Sequence, residues 1–473
     1  MALAAAMAAL VILGGLYRFL GSGIALDGSG RGILLSRPPD YDALEADRLR
    51  QRTAPSPPTA ASGDSAGLPG PDLPDTDASP DPEPARAVGG YVPDFRGPAR
   101  DGRYEEPIRT DWPAEGLALL WKHPIGLGYA SFVVADGRAF TIEQRRGQEV
   151  VAAYDVVTGR ELWTDGWDGE FVEWMGGDGP RATPTYHEGR VFALGALGEL
   201  RSLDAESGAL LWRRNILTDN GASNLEWGMA GAPLILDDKV VVLPGGPNGK
   251  SVASYDWKTG EPVWTSLDDR QAYTSPMEVT LAGLRQILIV TATRAVGLGV
   301  DDGRLLWEYP WPTNMGINAS QPLLTGDDRV FLSSGYGQGA VVFQIRRTAG
   351  GFAADTVWES NRMKNKFASS VLLDGHIYGL DEAILACIDA ATGELKWKGG
   401  RYGYGQLLLA GDHLIVLTED GGVVLVNASP ERHEEIASFP AIEGKTWNYP
   451  VVAGGRLLVR NIGEMAAFDI RPR

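Results

Sequence analysis

The sequence has a single cysteine, Cys387, and only five histidines in 473 residues. One cysteine excludes an internal disulfide, a CxxC redox pair, a CxxCH haem-attachment site and a cysteine-based zinc site. The histidines are dispersed along the chain, and no two of them have the spacing of metal ligands. The sequence therefore predicts no metal site, and Cys387 is interpreted as a small buried hydrophobic residue.

Positive charge is also scarce, since 43 Lys and Arg residues face 61 Asp and Glu residues and give a formal net charge of −18. Such a surface repels phosphate backbones, so nucleic acid is not expected as a partner. The sequence has no Ser-His-Asp arrangement, no phosphate-binding glycine loop and no paired-carboxylate signal. No catalytic residue is predicted.

Glycine and tryptophan are abundant, with 61 and 14 copies, and there are 30 prolines. Glycine and proline favour tight turns, so these numbers indicate many short strands joined by short connections. Fourteen tryptophans indicate a structural role that is repeated along the chain.

The N-terminal residues 1–26 form a mostly apolar segment that Arg18 interrupts. Its length is close to that of a membrane span, and it lacks the basic start of a secretory signal. We interpret it as an uncleaved signal anchor that makes the chain a single-pass membrane protein, with a cleaved signal peptide as the alternative. Arg18 and Arg31, which follow the apolar run, weakly oppose export of the rest of the chain.

A linker is predicted between the anchor and the folded domain, over residues 27–90. Residues 51–90 hold nine prolines and six acidic residues with almost no large apolar side chains. This composition buries too little surface to offset chain entropy, which predicts a disordered tether. The next segment, 91–111, carries the turn-rich stretch Asp94–Gly102, which either caps one face of the domain or is only the end of the linker.

A repeat begins after this segment and predicts the fold. Its copies read Tyr/Leu-Asp-x-x-Thr-Gly-x-x-x-Trp, as in 154–163, 203–212, 255–264 and 388–397, with a divergent copy at 298–307. The Asp carboxylate can accept amides of a tight turn, and the glycine supplies a positive φ. The tryptophan ends the next strand, where its ring can fill the gap between neighbouring sheets.

Eight strands carry this tryptophan or, in one case, a phenylalanine in its place. They end at Trp121, Trp163, Trp212, Trp264, Trp307, Trp358, Trp397 and Phe439, at intervals of 39 to 52 residues. A second hairpin precedes each motif, so each repeat has four strands, as a propeller blade requires. Residues 112–473 are therefore predicted to be an all-β, eight-bladed propeller, in which a strand at Gly116–Trp121 pairs with the C-terminal strands. Seven blades is the alternative.

The repeat resembles the tryptophan-docking repeat of the pyrroloquinoline quinone (PQQ) family over residues 112–473. That family includes quinoprotein alcohol dehydrogenases and the propeller lipoprotein of the bacterial outer-membrane β-barrel assembly machinery. Because known relatives mostly work in the periplasm, the resemblance implies an extracytoplasmic domain. The family's dehydrogenases use vicinal cysteines and a calcium site, neither of which can be matched in this sequence.

These observations favour a monomeric, non-catalytic binding module for envelope proteins, without a cofactor. The alternative is an oxidoreductase that oxidises an alcohol or a sugar with PQQ and Ca²⁺, and a third possibility is sugar or polymer binding. The loops that enter each blade should converge on the central channel, with Tyr129 and Tyr404 among them. The candidate cofactor-binding residues in this funnel are Arg181, Trp227, Tyr273, Asn318, Gln321, Lys366, Trp447 and Asn448. They could hold a flat anionic ligand by stacking and charge, or the aromatic rings could simply plug the channel.

Overall fold

The structure is a computed structural model that describes residues 23–26, 33–36, 40–53 and 90–473. Within these ranges, no helix is both long enough and apolar enough to cross a membrane. The predicted anchor 1–26 lies outside the described residues except for Gly23–Leu26, which is a strand paired antiparallel with Ile33–Ser36. A helix over the whole of 1–26 is therefore wrong for its last four residues, which are extended because they pair with a second strand.

Eight sheets, each with four consecutive antiparallel strands, form the blades, and one of them gains a fifth, parallel strand from Arg103–Tyr104. This confirms the predicted eight-bladed all-β propeller. Blade 1 consists of Val133–Ala135, Arg138–Arg145, Gln148–Asp155 and Glu161–Asp168, and blade 2 of Thr185–His187, Arg190–Leu194, Glu199–Asp204 and Leu210–Asn215. Blade 3 consists of Leu234–Leu236, Lys239–Val242, Val252–Asp256 and Pro262–Ser266, and blade 4 of Met277–Leu281, Leu284–Val290, Arg294–Gly299 and Leu305–Pro310. Blade 5 consists of Leu323–Leu324, Arg329–Ser334, Gly339–Thr348 and Gly351–Ser360, and blade 6 of Val371–Leu373, His376–Asp381, Ile384–Asp389 and Leu395–Arg401. Blade 7 consists of Gln406–Ala410, His413–Leu417, Gly422–Asn427 and Glu435–Pro440.

Blade 8 draws its strands from two distant parts of the chain. Its three inner strands are Val451–Ala453, Arg456–Arg460 and Glu464–Asp469, and its outer strand is Leu119–Pro124. The outer strand pairs antiparallel with Glu464–Asp469, and Trp121 lies opposite Ala467. Blade 8 is therefore held together by pairing between segments more than 300 residues apart.

The repeat motif forms a joint between neighbouring blades. Asp155 Oδ1 accepts a hydrogen bond from the Thr158 amide at 2.8 Å, and Gly159 has a φ of 69°. Trp121 of blade 8 lies against this turn and donates from Nε1 to the Val156 carbonyl at 3.2 Å. A Cβ at Gly159 would stand 2.6 Å from the Trp121 ring, so the glycine serves both the turn and the docked tryptophan.

The same joint recurs around most of the ring. Trp163, Trp212 and Trp358 each lie against the motif glycine of the following blade and donate to a carbonyl of its turn. The eight predicted aromatics all lie in the outer strands of their blades, which confirms one such residue in each blade. The prediction that the strands end at these residues was wrong, because each strand continues past its aromatic residue, as Glu161–Asp168 does past Trp163. The joint between blades 4 and 5 differs, because Trp307 donates instead to Gln286 of its own blade.

The predicted linker 27–90 contains a helix, α1, over Tyr41–Thr53, so the prediction of disorder was wrong there. Asp40 begins the helix by accepting the Ala43 amide on its side chain at 2.8 Å. The helix packs on the propeller with Leu44, Asp47 and Arg48 buried. The composition of the segment conceals the helix, because two of these three buried residues are charged.

The segment Asp94–Gly102 lies in the central channel and reaches blades on opposite sides of the ring. Arg100 is 2% exposed and donates to the carbonyls of Pro276 at 2.7 Å and Ala232 at 3.2 Å, near the inner strands of blades 4 and 3. Arg96 donates to the Ser370 carbonyl beside blade 6 at 2.8 Å. Arg103–Tyr104 then pairs with the inner strand of blade 7. The channel is thereby filled on one side.

α2 (Ile216–Asn220) is a short helix between blades 2 and 3. Asn215 accepts the Thr218 amide at its start, and Gly221 ends it in the left-handed conformation. Asn220 donates from its side chain to the Tyr255 hydroxyl at 3.0 Å and so attaches the helix to blade 3. A 3₁₀ turn, Asn314–Gly316, follows blade 4.

Candidate functional site

A cavity of about 770 Å³ occupies the other side of the central channel, which we call the funnel. Loops leading into the inner strands form its wall, and Phe95 of the channel-filling segment contributes to its lining. Among the residues predicted from the sequence, five line it: Arg181, Trp227, Tyr273, Lys366 and Trp447. Further lining residues include Tyr129, Met175, Met315, Tyr336, Phe367 and Tyr449.

Aromatic rings in contact with one another form much of the wall. The Trp447 ring centroid lies 4.4 Å from that of Phe367 and 5.3 Å from that of Tyr129. Trp227 and Tyr273 make a second pair at 5.7 Å. Burial raises the pKa of Tyr273 to about 12, so its phenol is neutral at physiological pH. The wall therefore offers large apolar faces with a few hydroxyl groups.

Two cations at the funnel wall are already bonded within the protein. Arg181 donates to the carbonyls of Gly177 and Gly179, and burial lowers the pKa of its guanidinium. Lys366 Nζ donates to the Tyr404 hydroxyl at 2.9 Å and lies 4.0 Å from the centroid of that ring. These bonds fix the positions of both cationic groups at the funnel wall.

Lys445 is a third cation beside the funnel, and the sequence analysis did not select it. Its Nζ lies 3.5 Å from the Trp447 centroid and donates to the Gly176 carbonyl at 2.7 Å. Burial lowers its pKa to about 8. The ammonium group therefore holds two loops together at the funnel wall.

The three predicted amide residues do not line the funnel, and their selection as ligand-binding groups is corrected here. Asn318 donates to the Thr291 carbonyl at 2.9 Å and is 2% exposed. Gln321 exchanges two hydrogen bonds with the backbone of Ser275, at 2.8 and 3.0 Å. Asn448 donates to the Ala130 carbonyl at 2.8 Å. Each side chain hydrogen-bonds backbone groups that a neighbouring strand would bond in a regular sheet. Each thereby joins neighbouring loops.

Several funnel residues were missed because they lie next to the positions that were aligned. Phe367 follows Lys366 directly, and Lys445 precedes Trp447 by two residues. Phe95 belongs to the turn-rich stretch Asp94–Gly102, which lies before the first blade and outside the repeat. Met315 and Tyr336 come from longer loops with no repeated motif to locate them.

Among the described residues that line the funnel, Glu226 is the one acidic side chain. Within residues 40–53 and 90–473, no group of three or more His, Cys, Asp and Glu side chains is arranged to hold a metal ion. Arg181 and Lys366, the cations that would meet the carboxylates of PQQ, each donate to acceptors of the protein and have further N–H groups.

Large apolar side chains are exposed around the mouth of the funnel, on a surface that we call the rim. It consists of Val172, Trp174, Met175, Met315 and Tyr336, whose exposed fractions are 55%, 70%, 40%, 62% and 38%. Met175, Met315 and Tyr336 also line the cavity, so rim and funnel are continuous. Exposed apolar surface that is continuous with a pocket is typical of protein or ligand contact sites.

Comparison with known proteins agrees with this geometry. The family model described as outer membrane protein assembly factor BamB matches residues 146–399. The outer membrane protein assembly factor BamB of Burkholderia pseudomallei (strain K96243) is 24% identical over 318 residues, which span 64% of this chain and 75% of that protein.

Solved structures give the same fold. BamB from Moraxella catarrhalis superposes with a TM-score of 0.53 and 18% identity, over 75% of this chain and all of that one. A europium-containing methanol dehydrogenase superposes with a TM-score of 0.60 and 14% identity, over 81% of this chain and 99% of that one. At such low identity the two structures share the fold of this chain, while the family match covers more than half of its length. The chain belongs to the outer membrane protein assembly factor BamB family of PQQ-like propellers.

Proposed function

We propose that this chain is a non-catalytic scaffold that works outside the cytoplasm and binds a protein partner in outer-membrane protein assembly. The observation that carries the proposal is the rim, where Trp174 is 70% exposed beside Val172 and Met175. A tryptophan at the surface of a soluble domain exposes apolar area that a partner can cover, and tryptophan is enriched at the energetic centres of interfaces. The family match supports the choice of partner class.

The bonding of the funnel cations supports binding over catalysis. Arg181, Lys366 and Lys445 all donate to groups of the protein itself. The Arg181 and Lys445 bonds end on Gly176, Gly177 and Gly179, so they hold the loop that carries Trp174 and Met175. A preorganised apolar surface loses little conformational entropy on binding. The predicted membrane attachment through residues 1–26 is part of this proposal and would place the propeller at the envelope.

Site-specific photo-crosslinking in cells tests the proposal. A photoreactive residue at position 174 should yield a crosslinked product containing an envelope-assembly protein, identified by mass spectrometry. In co-purification of that protein, Trp174→Ala should reduce recovery at least tenfold, because truncation of a buried interface tryptophan costs about 2 kcal/mol or more. Leu211→Ala is the control, since Leu211 is 44% exposed on the outer strand of blade 2, far from the rim.

Reconstitution separates this function from its alternatives. The full chain is incubated with PQQ and Ca²⁺, tryptophan fluorescence is recorded, and dye-linked alcohol oxidation is assayed. We expect neither saturable quenching nor turnover. Saturable quenching with turnover would replace the scaffold with an oxidoreductase, and fluorescence quenching by oligosaccharides that Trp174→Ala abolishes would replace it with a glycan-binding module.

A further inference from the structure

Helix α1 docks on the propeller through a polar surface. Most of its side chains are exposed, and the buried ones are Leu44, Asp47 and Arg48. Arg48 is 2% exposed, and its guanidinium is paired with the Asp47 carboxylate of the same helix at 2.7 Å. The helix is therefore attached by specific hydrogen bonds and not by an apolar stripe.

Arg48 contacts two different blades. Its Nη2 donates to the Pro124 carbonyl at 2.8 Å, in the outer strand of blade 8. Its Nε donates to Glu161 Oε2 at 3.1 Å, in the outer strand of blade 1. The guanidinium also lies 5.2 Å from the centroid of the Tyr154 ring of blade 1. One side chain of α1 thus bridges the junction between blades 8 and 1.

Gln51 makes a second bridge one turn further along α1. Its side-chain oxygen accepts the Glu161 amide of blade 1 at 2.9 Å. Its Nε2 lies 3.2 Å from Nδ1 of His123, in the outer strand of blade 8. Asp47 also approaches that nitrogen at 3.3 Å. The helix therefore holds the outer strand of blade 8, Leu119–Pro124, to blade 1 at several points.

A buried charge network lies below these contacts. Glu161 accepts hydrogen bonds from both Arg48 and Arg145, and Arg145 also bonds Glu143 at 2.7 Å. If α1 leaves, Arg48 and Asp47 leave together, and Arg145 still neutralises Glu161. Undocking breaks the pair of Arg48 with Glu161 but leaves no buried charge without a partner, which makes it less costly than removing one member of a buried ion pair.

From these contacts we propose that α1 is a reversible clasp on the junction of blades 8 and 1. Docked, it limits the separation of the outer strand Leu119–Pro124 from Glu464–Asp469; undocked, it lets this strand open while the other blades stay closed. Of the four strands of blade 8, Leu119–Pro124 alone comes from the N-terminal part of the propeller. No hairpin turn therefore connects it to Glu464–Asp469, the strand with which it pairs. The segment before the propeller thereby regulates how firmly blade 8 is closed.

Hydrogen–deuterium exchange of the full chain, read by mass spectrometry, tests the clasp. In Arg48→Ala, amide exchange should rise at least tenfold in Leu119–Pro124 and Glu464–Asp469 as well as in α1, and it should be unchanged in blades 3 to 6. Arg50→Ala is the matched control, because the Arg50 side chain is 71% exposed and its ion pair is within the helix. The control should exchange like the wild type.

The distribution of the exchange decides the outcome. A rise confined to Tyr41–Thr53 would mean that α1 is only an appendage, and the clasp would be wrong. A rise in every blade would mean general destabilisation and would also contradict it. If Arg48→Ala does not fold, Gln51→Ala is used, for which the same two strands should exchange at least threefold faster, and wild-type exchange there would overturn the proposal.

Discussion

Two joints of the ring share a docked tryptophan and differ in what is added to it. Blades 1 and 2 are joined by Trp163, which lies on Gly208 and donates to the Ala205 carbonyl. Blades 8 and 1 have the same tryptophan joint through Trp121, and they add the buried Glu143, Arg460 and the helix α1. The first joint lies between blades that follow each other in the chain, whereas the second lies beside the composite blade. Charged groups bridge both joints, since Arg201 of blade 2 pairs with Asp165 of blade 1 at 2.8 Å. What the composite blade adds is a contact from outside the propeller, because α1 reaches both blades there.

Removing a docked tryptophan should have the largest effect and should break the regular joint. Trp212→Ala deletes a ring that is 9% exposed and that donates to the Trp257 carbonyl at 2.9 Å. We expect a loss of about 3–5 kcal/mol in the free energy of unfolding, measured by urea denaturation. Leu211→Ala, at an exposed neighbour in the same strand, is the control and should lose less than about 1 kcal/mol. Equal losses for the two variants would mean that the docked ring has no special role.

Glu143 makes the charged junction sensitive to acid. Burial alone would raise the pKa of Glu143, but the guanidinium groups of Arg145 and Arg460 outweigh it and lower the pKa to about 2. A carboxylate with a depressed pKa stabilises the fold above its unfolded pKa of 4.5, and this contribution is lost as the pH falls towards 2. Glu143→Gln should therefore cost about 3 kcal/mol at pH 7 and reduce the pH dependence of stability below pH 4.5. An unchanged slope of stability against pH would contradict the assignment.

Glu149, between blades 1 and 2, should respond in the opposite direction and by less. It is fully buried, and its Oε1 accepts the Ala196 amide at 2.7 Å. Burial raises its pKa to about 7, so the folded state prefers the protonated form and loses stability as the pH rises from 4.5 to 7. Glu149→Gln should raise the free energy of unfolding at pH 7 by about 1–3 kcal/mol and remove this slope. Destabilisation at pH 7 would show that the carboxylate is needed in its charged form.

The sequence was sufficient to predict the blades because the joint is local and repeated. Each glycine precedes its tryptophan by four residues, and both residue types have a physical requirement at their positions. The funnel was predicted in part. Arg181, Trp227 and Lys366 were located by aligning loops, yet the same alignment selected Asn318 and Asn448, whose side chains turn into the protein. Loop position is encoded in the repeat, whereas side-chain direction depends on which backbone carbonyls need a donor.

Helix α1 could not be predicted for a different reason. Sequence patterns identify a helix that packs by an apolar stripe, and α1 packs through Arg48 and Gln51. The partners of these residues, Pro124 and Glu161, lie 76 and 113 positions from Arg48 along the chain. Nothing local in the sequence indicates such long-range polar contacts.

The glycine–tryptophan joint has a consequence for how such a ring can change by recombination. Because the motif glycine of one blade meets the tryptophan of the blade before it, Gly208 or Gly260 could accept the ring of any regular blade. The joint itself therefore allows a blade that carries the motif to be duplicated or exchanged, whereas ion pairs between blades, such as Arg201–Asp165, would need a matched partner. The border between blades 4 and 5 lacks the common joint, because Trp307 bonds Gln286 within its own sheet. A blade exchange at the border between blades 4 and 5 would bring together two surfaces that do not share this glycine–tryptophan contact.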